Sequence, residues 1–447
     1  MLTFFLLALS VGPYVQLVTT DSIRVVWWSE DDRPGLLEWG PSESYGEQVS
    51  SATESFDHVP GFRHEVRLAG LQANTRYFYR VVDGGQGGSA QAAHFTTAVE
   101  LGTDFTFAVA ADPESKATEP VRNVTHRAVL DQIAMHEPRF LLYAGDLVDQ
   151  GNAQDDWDAF WSDLSGFAAS TPVYPALGNH DYDGLDTTLG GNRVPYAQPH
   201  AEAGVAKFRA YFTLPGNDHP SSDPRHERYY LLQYGPVSVI VLDTNNDSRE
   251  DWDTGRYRSH GLVGESEPPE DDGKSWAPDI HEGSGQYRWL AETLETAQRE
   301  SAFIFIVNHQ APYSSFVHGA PDEQQSGYPL RKLDGLLQRY GVDAVFSGHD
   351  ESYERSVVGN IHYYVLPTIG DPTGVRDPVE NPVWQEEFSR FIYPEGIRRH
   401  GYVGVAIEHR GGSAYRATIT PYYLDPDAPK DTSRHYDDVT VLLGSMP

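Results

Sequence analysis

The sequence predicts an α/β protein of two domains, in which a small all-β sandwich precedes a larger layered α/β domain. At 447 residues the chain is too long for one ordinary hydrophobic core. Short runs rich in β-branched and aromatic residues fill residues 11–98, whereas strand-like and helix-like segments alternate from residue 103 onward. We therefore expect one domain over residues 11–98 and a second over residues 103–447.

The first domain is predicted from strand-like runs that are separated by Asp, Pro and Gly turns. Residues 22–28 and 36–39 are examples, because both combine β-branched or aliphatic residues with tryptophan. Residues 66–81 resemble the fibronectin type III pattern, in which a corner tyrosine hydrogen-bonds the turn before it. We interpret this domain as a scaffold, which could also form one wall of the active-site mouth or hold the protein to a surface.

The second domain is predicted from apolar strand-like runs that alternate with helix-like segments. The helix-like segments are residues 120–136, 286–299 and 330–340, and residues 401–408 and 414–423 resemble closing strands before a polar tail. Residues 182–228 and 245–284 are long polar insertions, and loops of that length are usually functional or disordered. They predict either a specificity wall or solvated surface decoration.

Side chains with metal-ligand chemistry lie at or just after the strand-like runs, at widely separated points of the chain. The motifs are Asp112-Pro-Glu114, Gly-Asp146-Leu-Val-Asp149, Gly-Asn179-His180-Asp181, Asn-His309-Gln and Gly-His349-Asp-Glu351. An α/β sheet places its ligands and catalytic groups beyond the carboxyl ends of its strands. We therefore expect these carboxylate, amide and imidazole groups to converge.

Cleavage of a phosphate ester needs this combination of ligands. The reaction requires an activated water on one side of phosphorus and neutralisation of the phosphoryl oxygens, and two cations about 3.5–4 Å apart supply both. A carboxylate that bridges the ions must be flanked by separate ligand sets, and Asp146 has that place in the order of motifs. The pattern predicts a two-metal phosphoesterase.

The order of these motifs resembles the calcineurin-like metallophosphoesterase superfamily and, within it, the purple acid phosphatase branch with its fibronectin-like N-terminal domain. The cues for the branch are Gly348-His349-x-x-x-Tyr353-Glu354-Arg355, His309-x-x-Pro312 and Gln286-Tyr-x-Trp289-Leu290. Together the motifs cover nearly the whole chain. The resemblance implies a four-layer α/β/β/α sandwich, in which helices cover the outer faces of two packed mixed sheets.

Three positions depart from the family pattern. The purple enzymes carry a tyrosine at the position of Asp149, and its charge transfer to ferric iron gives them their colour, so this protein should not be purple. Glu351 replaces the second histidine of the Gly-His-x-His motif. Glu114 stands where the wider superfamily has histidine and the purple branch has glycine. These changes predict that one of the metal sites consists of oxygen ligands.

The resemblance implies two unlike metal sites. The second site would use Asp146, Asn179, His309 and His349, and the first would use Asp112, Asp146 and Glu351 with Glu114 or Asp149 completing it. Hard oxygen ligands suit Mg²⁺, Ca²⁺, Mn²⁺ or iron, whereas a mixed nitrogen and oxygen set suits Mn²⁺, Zn²⁺ or iron. We therefore expect two divalent or trivalent ions of different kinds.

Two further histidines are candidates for catalysis. The resemblance implies that His180 points toward the leaving group or the transferred phosphoryl group, and that His318 hydrogen-bonds the substrate. Either imidazole could protonate a departing alkoxide, because its unperturbed pKa allows it to hold a proton in the working range. The sequence does not distinguish between them.

The charge of the chain restricts its partners. A formal net charge of −32 would repel duplex nucleic acid. A small phosphorylated substrate remains compatible, because a pair of metal ions dominates the local field and distant surface charges are screened. No pattern in the chain predicts an oligomeric state.

The cysteine content and the first ten residues concern the cellular compartment. The chain has no cysteine, which excludes disulfides and thiolate metal ligands. Residues 1–10 form an apolar run that lacks a basic segment and is too short to span a bilayer. The run is either the remnant of a secretion signal or a first apolar strand. The habit of the family favours a secreted, periplasmic or cell-surface protein, and the alternative is a cytoplasmic one.

Three functions remain open from the sequence. The leading one is hydrolysis of phosphomonoesters by a metal-bound hydroxide at a dinuclear site. A phosphodiesterase of the same fold, acting on nucleotide diesters among others, is the first alternative. The second is a binding or adhesion protein in which the altered first metal site has weakened catalysis.

Overall fold

The computed structural model describes residues 9–30, 32–82, 91–182, 184–186, 192–194, 200–223, 225–245, 249–251, 256–258, 278, 280, 282–316, 327–370, 389–392, 399–425 and 428–447. None of the helices in these ranges combines the length and the apolar character that a membrane-spanning helix requires.

The first part of the chain consists of strands alone. They are β1 (Leu9–Gln16), β2 (Ser22–Ser29), β3 (Leu36–Gly40), β4 (Glu47–Ser50), β5 (Ala52–Glu54), β6 (Phe62–Ala69), β7 (Arg76–Val82) and β8 (Gln91–Thr96). They form two four-stranded antiparallel sheets with the orders β1-β2-β6-β5 and β4-β3-β7-β8. In β7 the burial alternates, so that Tyr77, Tyr79 and Val81 face the core. The amide of Gln72 donates to the Tyr77 hydroxyl at 3.0 Å, which is the bond expected of a corner tyrosine.

The rest of the chain alternates strands and helices. Up to residue 258 these are β9 (Phe105–Ala110), α1 (Pro120–Ala134), β10 (Leu141–Tyr143), α2 (Gln154–Ala168), β11 (Val173–Pro175), α3 (Asn179–Tyr182), β12 (Gly184–Asp186), β13 (Asn192–Val194), α4 (His200–Tyr211), β14 (Tyr230–Tyr234), β15 (Val237–Val241), β16 (Arg249–Asp251) and β17 (Arg256–Arg258). Beyond it they are α5 (Gly285–Glu300), β18 (Phe303–Val307), a 3₁₀ helix (Tyr328–Leu333), α6 (Asp334–Arg339), β19 (Ala344–Ser347), β20 (Glu354–Val358), β21 (Ile361–Val365), β22 (Ser389–Ile392), β23 (Gly401–Gly411), β24 (Ala414–Tyr423) and β25 (Thr440–Ser445).

Two mixed sheets organise this second part. The first is six-stranded with the order β11-β10-β9-β23-β24-β25, and the second is seven-stranded with the order β14-β15-β18-β19-β21-β20-β22. Strands β9, β10 and β11 run parallel in the first sheet, and β15, β18, β19 and β21 run parallel in the second. Each sheet therefore has an edge at which the carboxyl ends of its parallel strands meet.

Alternating residues of β18 separate the layers. Phe305 points into the core between the sheets, where its ring centroid lies 5.9 Å from that of Phe107 in β9. Ile306 lies on the opposite face and belongs to a second apolar cluster with Leu290 and Leu294 of α5. Helix α1 packs on β23 of the first sheet and against α2. The predicted four-layer α/β/β/α architecture is therefore confirmed.

Three elements differ from the sequence prediction. The segment expected to be one helix over 330–340 begins earlier as the 3₁₀ helix, which has a proline in its first turn, and continues as α6. The first insertion contains α4, whose Phe208 and Tyr211 are buried. The tail after residue 423, predicted to be polar, ends in β25, which pairs with β24 and directs Val441 and Leu443 outward.

The two parts of the chain are in direct contact through buried hydrogen bonds. The Tyr14 hydroxyl donates to the carbonyl oxygen of Tyr211 at 2.7 Å, and the Tyr79 hydroxyl donates to that of Ala169 at 2.7 Å. The first sheet pair is therefore attached to the ends of α4 and α2. The domain boundaries of 11–98 and 103–447 remain a prediction.

Candidate metal centre

Residues that follow four different strands meet at the joined edges of the two mixed sheets. Asp146 follows β10, Asn179 follows β11, His309 follows β18 and His349 follows β19. Nε2 of His309 lies 3.0 Å from Asp146 Oδ2, 2.9 Å from Asn179 Oδ1 and 3.2 Å from His349 Nδ1. One carboxylate, one amide oxygen and two imidazoles therefore point at a common position.

Backbone hydrogen bonds fix the orientation of these side chains. Nδ1 of His309 donates to the carbonyl oxygen of Ala144 at 2.8 Å, which turns Nε2 toward the other ligands. The amide of His180 donates to Asp146 Oδ1 at 2.7 Å, which leaves Oδ2 facing His309. The second site is therefore held in place by the main chain of its neighbouring loops.

A glycine precedes each of three candidate ligands because the loops approach one another too closely for a side chain. A Cβ at Gly145 would lie 2.5 Å from His309 Nδ1, and one at Gly178 would lie 2.2 Å from Asp146 Oδ1. A Cβ at Gly348 would lie 2.5 Å from Asp112 Oδ2. The glycines of the Gly-Asp, Gly-Asn and Gly-His motifs thus allow the loops to converge.

The backbone itself is strained at the candidate ligands. Five of them have φ angles in the left-handed region, and they are Asp112 (53°), Glu114 (39°), Asp146 (53°), His349 (73°) and Glu351 (56°). Non-glycine residues adopt this conformation rarely, and its concentration in one place is typical of functional sites.

Asp112 is fully buried between the two sheets. Its carboxylate oxygens accept the amide of His349 at 3.1 and 3.2 Å, and its carbonyl oxygen accepts the Thr368 hydroxyl at 2.6 Å. The carbonyl oxygen of Glu351 accepts the amide of the same Thr368 at 3.2 Å. The turn that carries His349 and Glu351 therefore lies against the loop that carries Asp112.

Convergent ligand groups, with ligand atoms within 4.8 Å of one another, occur twice in the part of the chain that the structure describes. One consists of Asp146, His309 and His349, and the other of Glu114, Asp146 and His180. Asp146 belongs to both, as expected of a bridging ligand. Of the candidate ligands for the first site, Asp112, Asp149 and Glu351 lie outside both groups.

The site has strongly perturbed electrostatics. Burial raises the pKa of Asp112 well above its usual range, and the charges of Asp146 and Glu114 add to this effect while His309 opposes it. Burial likewise opposes ionisation of Asp146, but His309 and His180 hold its pKa at about 2. Burial disfavours the charged form of His309, yet Asp146 and Asp112 raise its pKa to about 9. A cation would stabilise the charged forms of carboxylates that are buried this close together.

Glu114 and Asp149 lie beside protein cations that the sequence analysis did not identify. Arg122 forms an ion pair with Glu114, and its Nη1 lies 3.6 Å from Asp149 Oδ1. Lys116 Nζ lies 3.5 Å from Asp149 Oδ2. The sequence contains one signal for this contact. Arg122 lies in the first turn of α1, two residues after the proline that begins it, where the helix dipole disfavours a basic residue.

Asp181 connects two of the ligand loops. Its carboxylate accepts the amide of Leu147 at 3.0 Å and the amide of Gly178 at 2.8 Å. Because these amides flank Asp146 and Asn179, Asp181 couples the positions of both candidate ligands. It orients the site without being part of either convergent group.

The structure describes one of the two candidate catalytic histidines. Nδ1 of His180 donates to the carbonyl oxygen of Asp149 at 3.0 Å, and its Nε2 lies 3.7 Å from Glu114 Oε1 and 4.0 Å from Asp146 Oδ2. His180 therefore borders the candidate centre. His318 lies outside the residues that the structure describes.

The donors fit metal ions. The second site offers two imidazoles, one amide oxygen and one carboxylate, a mixed set that suits Mn²⁺, Zn²⁺ or iron. Burial, with the charges of Asp146 and Glu114 as smaller causes, raises the pKa of Asp112, and a cation next to this carboxylate would favour its charged form. We conclude that the joined sheet edges can hold metal.

Comparison with known proteins agrees with the fold and identifies the family. Residues 106–353 match the calcineurin-like phosphoesterase family, and residues 11–97 match the purple acid phosphatase N-terminal domain. Purple acid phosphatase 21 of Arabidopsis thaliana is 24% identical over 350 residues, which cover 76% of this chain and only 65% of that relative.

Solved structures show the same architecture. A purple acid phosphatase isolated from yellow lupin (Lupinus luteus) seeds has a TM-score of 0.67 at 18% identity, and the match covers 96% of this chain and 73% of that one. PhoD has a TM-score of 0.66 at 13% identity, with 100% of this chain and 92% of that one covered. Because the family match over residues 106–353 spans more than half of the chain, this protein belongs to the calcineurin-like phosphoesterase family, and its residues 11–97 match the purple acid phosphatase N-terminal domain.

Proposed function

We propose that this protein is a metal-dependent phosphatase that hydrolyses small phosphomonoesters. The observation that carries the proposal is the convergence of Asp146, Asn179, His309 and His349 at the joined edges of two sheets, next to the buried Asp112. Ligands from separate strand ends that share one carboxylate match the demands of phosphoester cleavage. Membership of the calcineurin-like phosphoesterase family supports the same reaction class.

The donor chemistry supports two unlike ions. We assign the mixed second site to Mn²⁺, Zn²⁺ or iron. We assign an oxygen-rich first site, formed by Asp112, Asp146 and Glu351, with Glu114 and Asp149 as the candidates for completing it, to Mg²⁺, Ca²⁺, Mn²⁺ or iron. Elemental analysis that finds two zinc ions per chain and no hard cation would contradict this assignment.

When bound, the ions supply neutralisation of the phosphoryl oxygens and a water acidic enough to act as the nucleophile. The residues of the chain orient the reaction. Asp146 belongs to both ligand groups, and the Ala144 carbonyl oxygen keeps the proton of His309 on Nδ1, so that Nε2 is available as a ligand. Asp181 keeps the Asp146 and Asn179 loops in register.

His180 is the candidate for protonation of the leaving group among the residues described. Its Nδ1 hydrogen is occupied by the Asp149 carbonyl oxygen, so Nε2 is the atom that faces the centre and can pass a proton to a departing alkoxide. His318 remains a proposed substrate contact from the sequence pattern.

The wider setting follows the charge of the chain. A net charge of −32 argues against duplex nucleic acid as a partner and remains compatible with a small phosphorylated substrate, because bound metal ions would dominate the local field. Location outside the cytoplasm, in the periplasm or at the cell surface remains a proposal from family habit. The division into two domains over residues 11–98 and 103–447 also remains a proposal.

Hydrolysis of p-nitrophenyl phosphate and bis-p-nitrophenyl phosphate by metal-loaded protein tests the function. Asp146→Asn and His309→Ala should each lower activity by at least about 100-fold, because each removes a metal ligand. Asp343→Asn and His409→Ala are the matched controls, since both residues lie away from the ligand loops, and they should keep parental rates. Equal rates in Asp146→Asn and the parent would refute the proposal. A faster diester than monoester rate would move it to the phosphodiesterase alternative.

A further inference from the structure

A network of alternating charges borders the candidate metal centre. It consists of Glu114, Lys116, Glu119, Arg122 and Asp149, and we call it the Arg122 cluster. Arg122 forms an ion pair with Glu114 Oε2 and places Nε 2.9 Å from Glu119 Oε2. Lys116 Nζ lies 2.7 Å from Glu119 Oε1 and 3.5 Å from Asp149 Oδ2. The two cations thus link all three carboxylates.

The members nearest the metal centre are the most buried. Side-chain exposure is 4% for Glu114, 9% for Arg122 and 11% for Asp149, against 24% for Lys116 and 41% for Glu119. A buried, charged carboxylate needs compensation by a positive charge or by hydrogen bonds. Arg122 supplies that charge for Glu114 and Asp149 from within the protein.

The position of Arg122 is unfavourable for its own helix. It lies in the first turn of α1, which begins at Pro120, and this turn contains no acidic residue. The positive end of the helix dipole repels a guanidinium at this place. Arg122 therefore departs from the preference against basic residues in the first turn of a helix, and its contact with Glu114 compensates. Such departures concentrate at functional sites.

Glu114 has two possible cationic partners. Its Oε2 is engaged by Arg122, while its Oε1 lies 3.7 Å from Nε2 of His180. Glu114, Asp146 and His180 nevertheless form one of the two groups whose ligand atoms lie within 4.8 Å of one another. An ion at the first site and the Arg122 guanidinium would therefore compete for the same carboxylate.

We propose that Arg122 is a positioning residue that withholds Glu114 and Asp149 from the first metal site. That site then depends on Asp112, Asp146 and Glu351 and binds its ion less tightly than the second site binds its own. This inference rests on the proposed two-metal function and specifies the ligand set of its first site.

Titration of the metal-free protein with Mn²⁺, followed by calorimetry and by elemental analysis, tests the proposal without an activity assay. The parent should show one tight and one weaker event. Arg122→Gln should tighten the weaker event by at least about tenfold, because Glu114 and Asp149 become available to the ion. Arg127→Gln is the matched control, since Arg127 lies on the same helix and pairs with Asp163 away from the centre. It should bind like the parent.

The double variant Arg122→Gln/Glu114→Gln tests whether the gain of Arg122→Gln requires the Glu114 carboxylate. If Arg122 acts through Glu114, most of the gain should disappear in the double variant. Persistence of the full gain, or unchanged binding in Arg122→Gln, would overturn the proposal.

Glu114→Gln alone serves if Arg122→Gln does not fold. It should keep the weaker event within about threefold of the parent, whereas a loss of about 100-fold would make Glu114 a ligand and overturn the inference. These outcomes are separable from failure of the proposed function, in which the parent itself would bind no metal or hydrolyse no ester.

Discussion

Gly178 and Asp146 are in such close contact that a methyl group on Gly178 would lie 2.2 Å from both the backbone nitrogen and Oδ1 of Asp146. Asp146 is the residue shared by the two convergent ligand groups. The loop after β11 therefore limits where the Asp146 carboxylate can be, and the geometry of the candidate centre depends on a residue that has no functional group.

Gly178→Ala should abolish most activity although it removes no ligand. The added Cβ forces either Asp146 or the Asn179 loop to move, and a displacement of about 1 Å costs about 100-fold in rate. Overpacking of this kind also costs about 1–3 kcal/mol of stability. Turnover of p-nitrophenyl phosphate, bound metal per chain and the urea midpoint measure the three effects.

Gly166→Ala is the control for this substitution. Gly166 lies within α2, and an added Cβ there has no atom within 4 Å. Alanine is favoured over glycine in a helix by up to about 1 kcal/mol, so this variant should be slightly more stable and fully active. Parental activity and metal content in Gly178→Ala would show that the loop yields without consequence.

The convergence of the candidate ligands could be predicted from the sequence because their signal is local. Asp146 and His309 each follow a buried run of aliphatic and aromatic residues, and the glycine before Asp146 marks a close approach of loops. Parallel strands bring such positions to one edge in any α/β sheet. The convergence therefore follows from the order of motifs and the class of fold.

The surroundings of the ligands were less predictable, because they depend on tertiary contacts. The pairing of Glu114 with Arg122 requires that α1 begins beside the Asp112 loop, and no periodicity encodes this. Helix α4 has Lys207 and Arg209 among its apolar residues, so the sequence pattern did not indicate that the helix is buried. Lys207 donates to the carbonyl oxygen of His58 and to Gln154 Oε1, and only the packed first domain makes the first of these bonds possible.

Tyr79→Phe should weaken the attachment of the first sheet pair to the rest of the protein. The lost hydroxyl donates to the buried carbonyl oxygen of Ala169 at 2.7 Å, and a buried acceptor left without its donor costs about 1–3 kcal/mol. Chemical denaturation should show a lower free energy of unfolding with an unchanged dependence on denaturant concentration. Bound metal and activity should stay at the parental values. The attachment is then a matter of stability, not of catalysis.

Tyr45→Phe is the matched control for the attachment. Tyr45 lies between β3 and β4, in the sheet that contains Tyr79, and its ring packs 4.6 Å below the Arg80 guanidinium. A change at this partly exposed hydroxyl should stay within about 0.5 kcal/mol of the parent. Equal stability of Tyr79→Phe and Tyr45→Phe would remove the energetic role that we assign to the buried bond.

Asp343→Asn should stabilise the protein at neutral and alkaline pH but not in acid. Burial raises the pKa of Asp343 to about 6, even though the amide of Ile304 donates to its Oδ2 at 2.8 Å. The unfolded chain has a pKa of about 3.9 at this residue, so the folded state holds the proton more tightly. The stabilising contribution of Asp343 is therefore complete below about pH 4 and is lost as the pH rises through about 6.

Asparagine keeps the acceptor oxygen for Ile304 and removes the charge that burial penalises above this range. Urea denaturation of the two proteins at pH 4, 6 and 8, at constant metal concentration, measures their free energies of unfolding. The difference should grow with rising pH until the variant is more stable by up to about 2 kcal/mol. The comparison cancels every other titrating group, because those groups are common to both proteins. A difference that stays the same at all three values would mean that the buried environment of Asp343 accommodates its charge, and the pH dependence of stability would then have to come from other carboxylates.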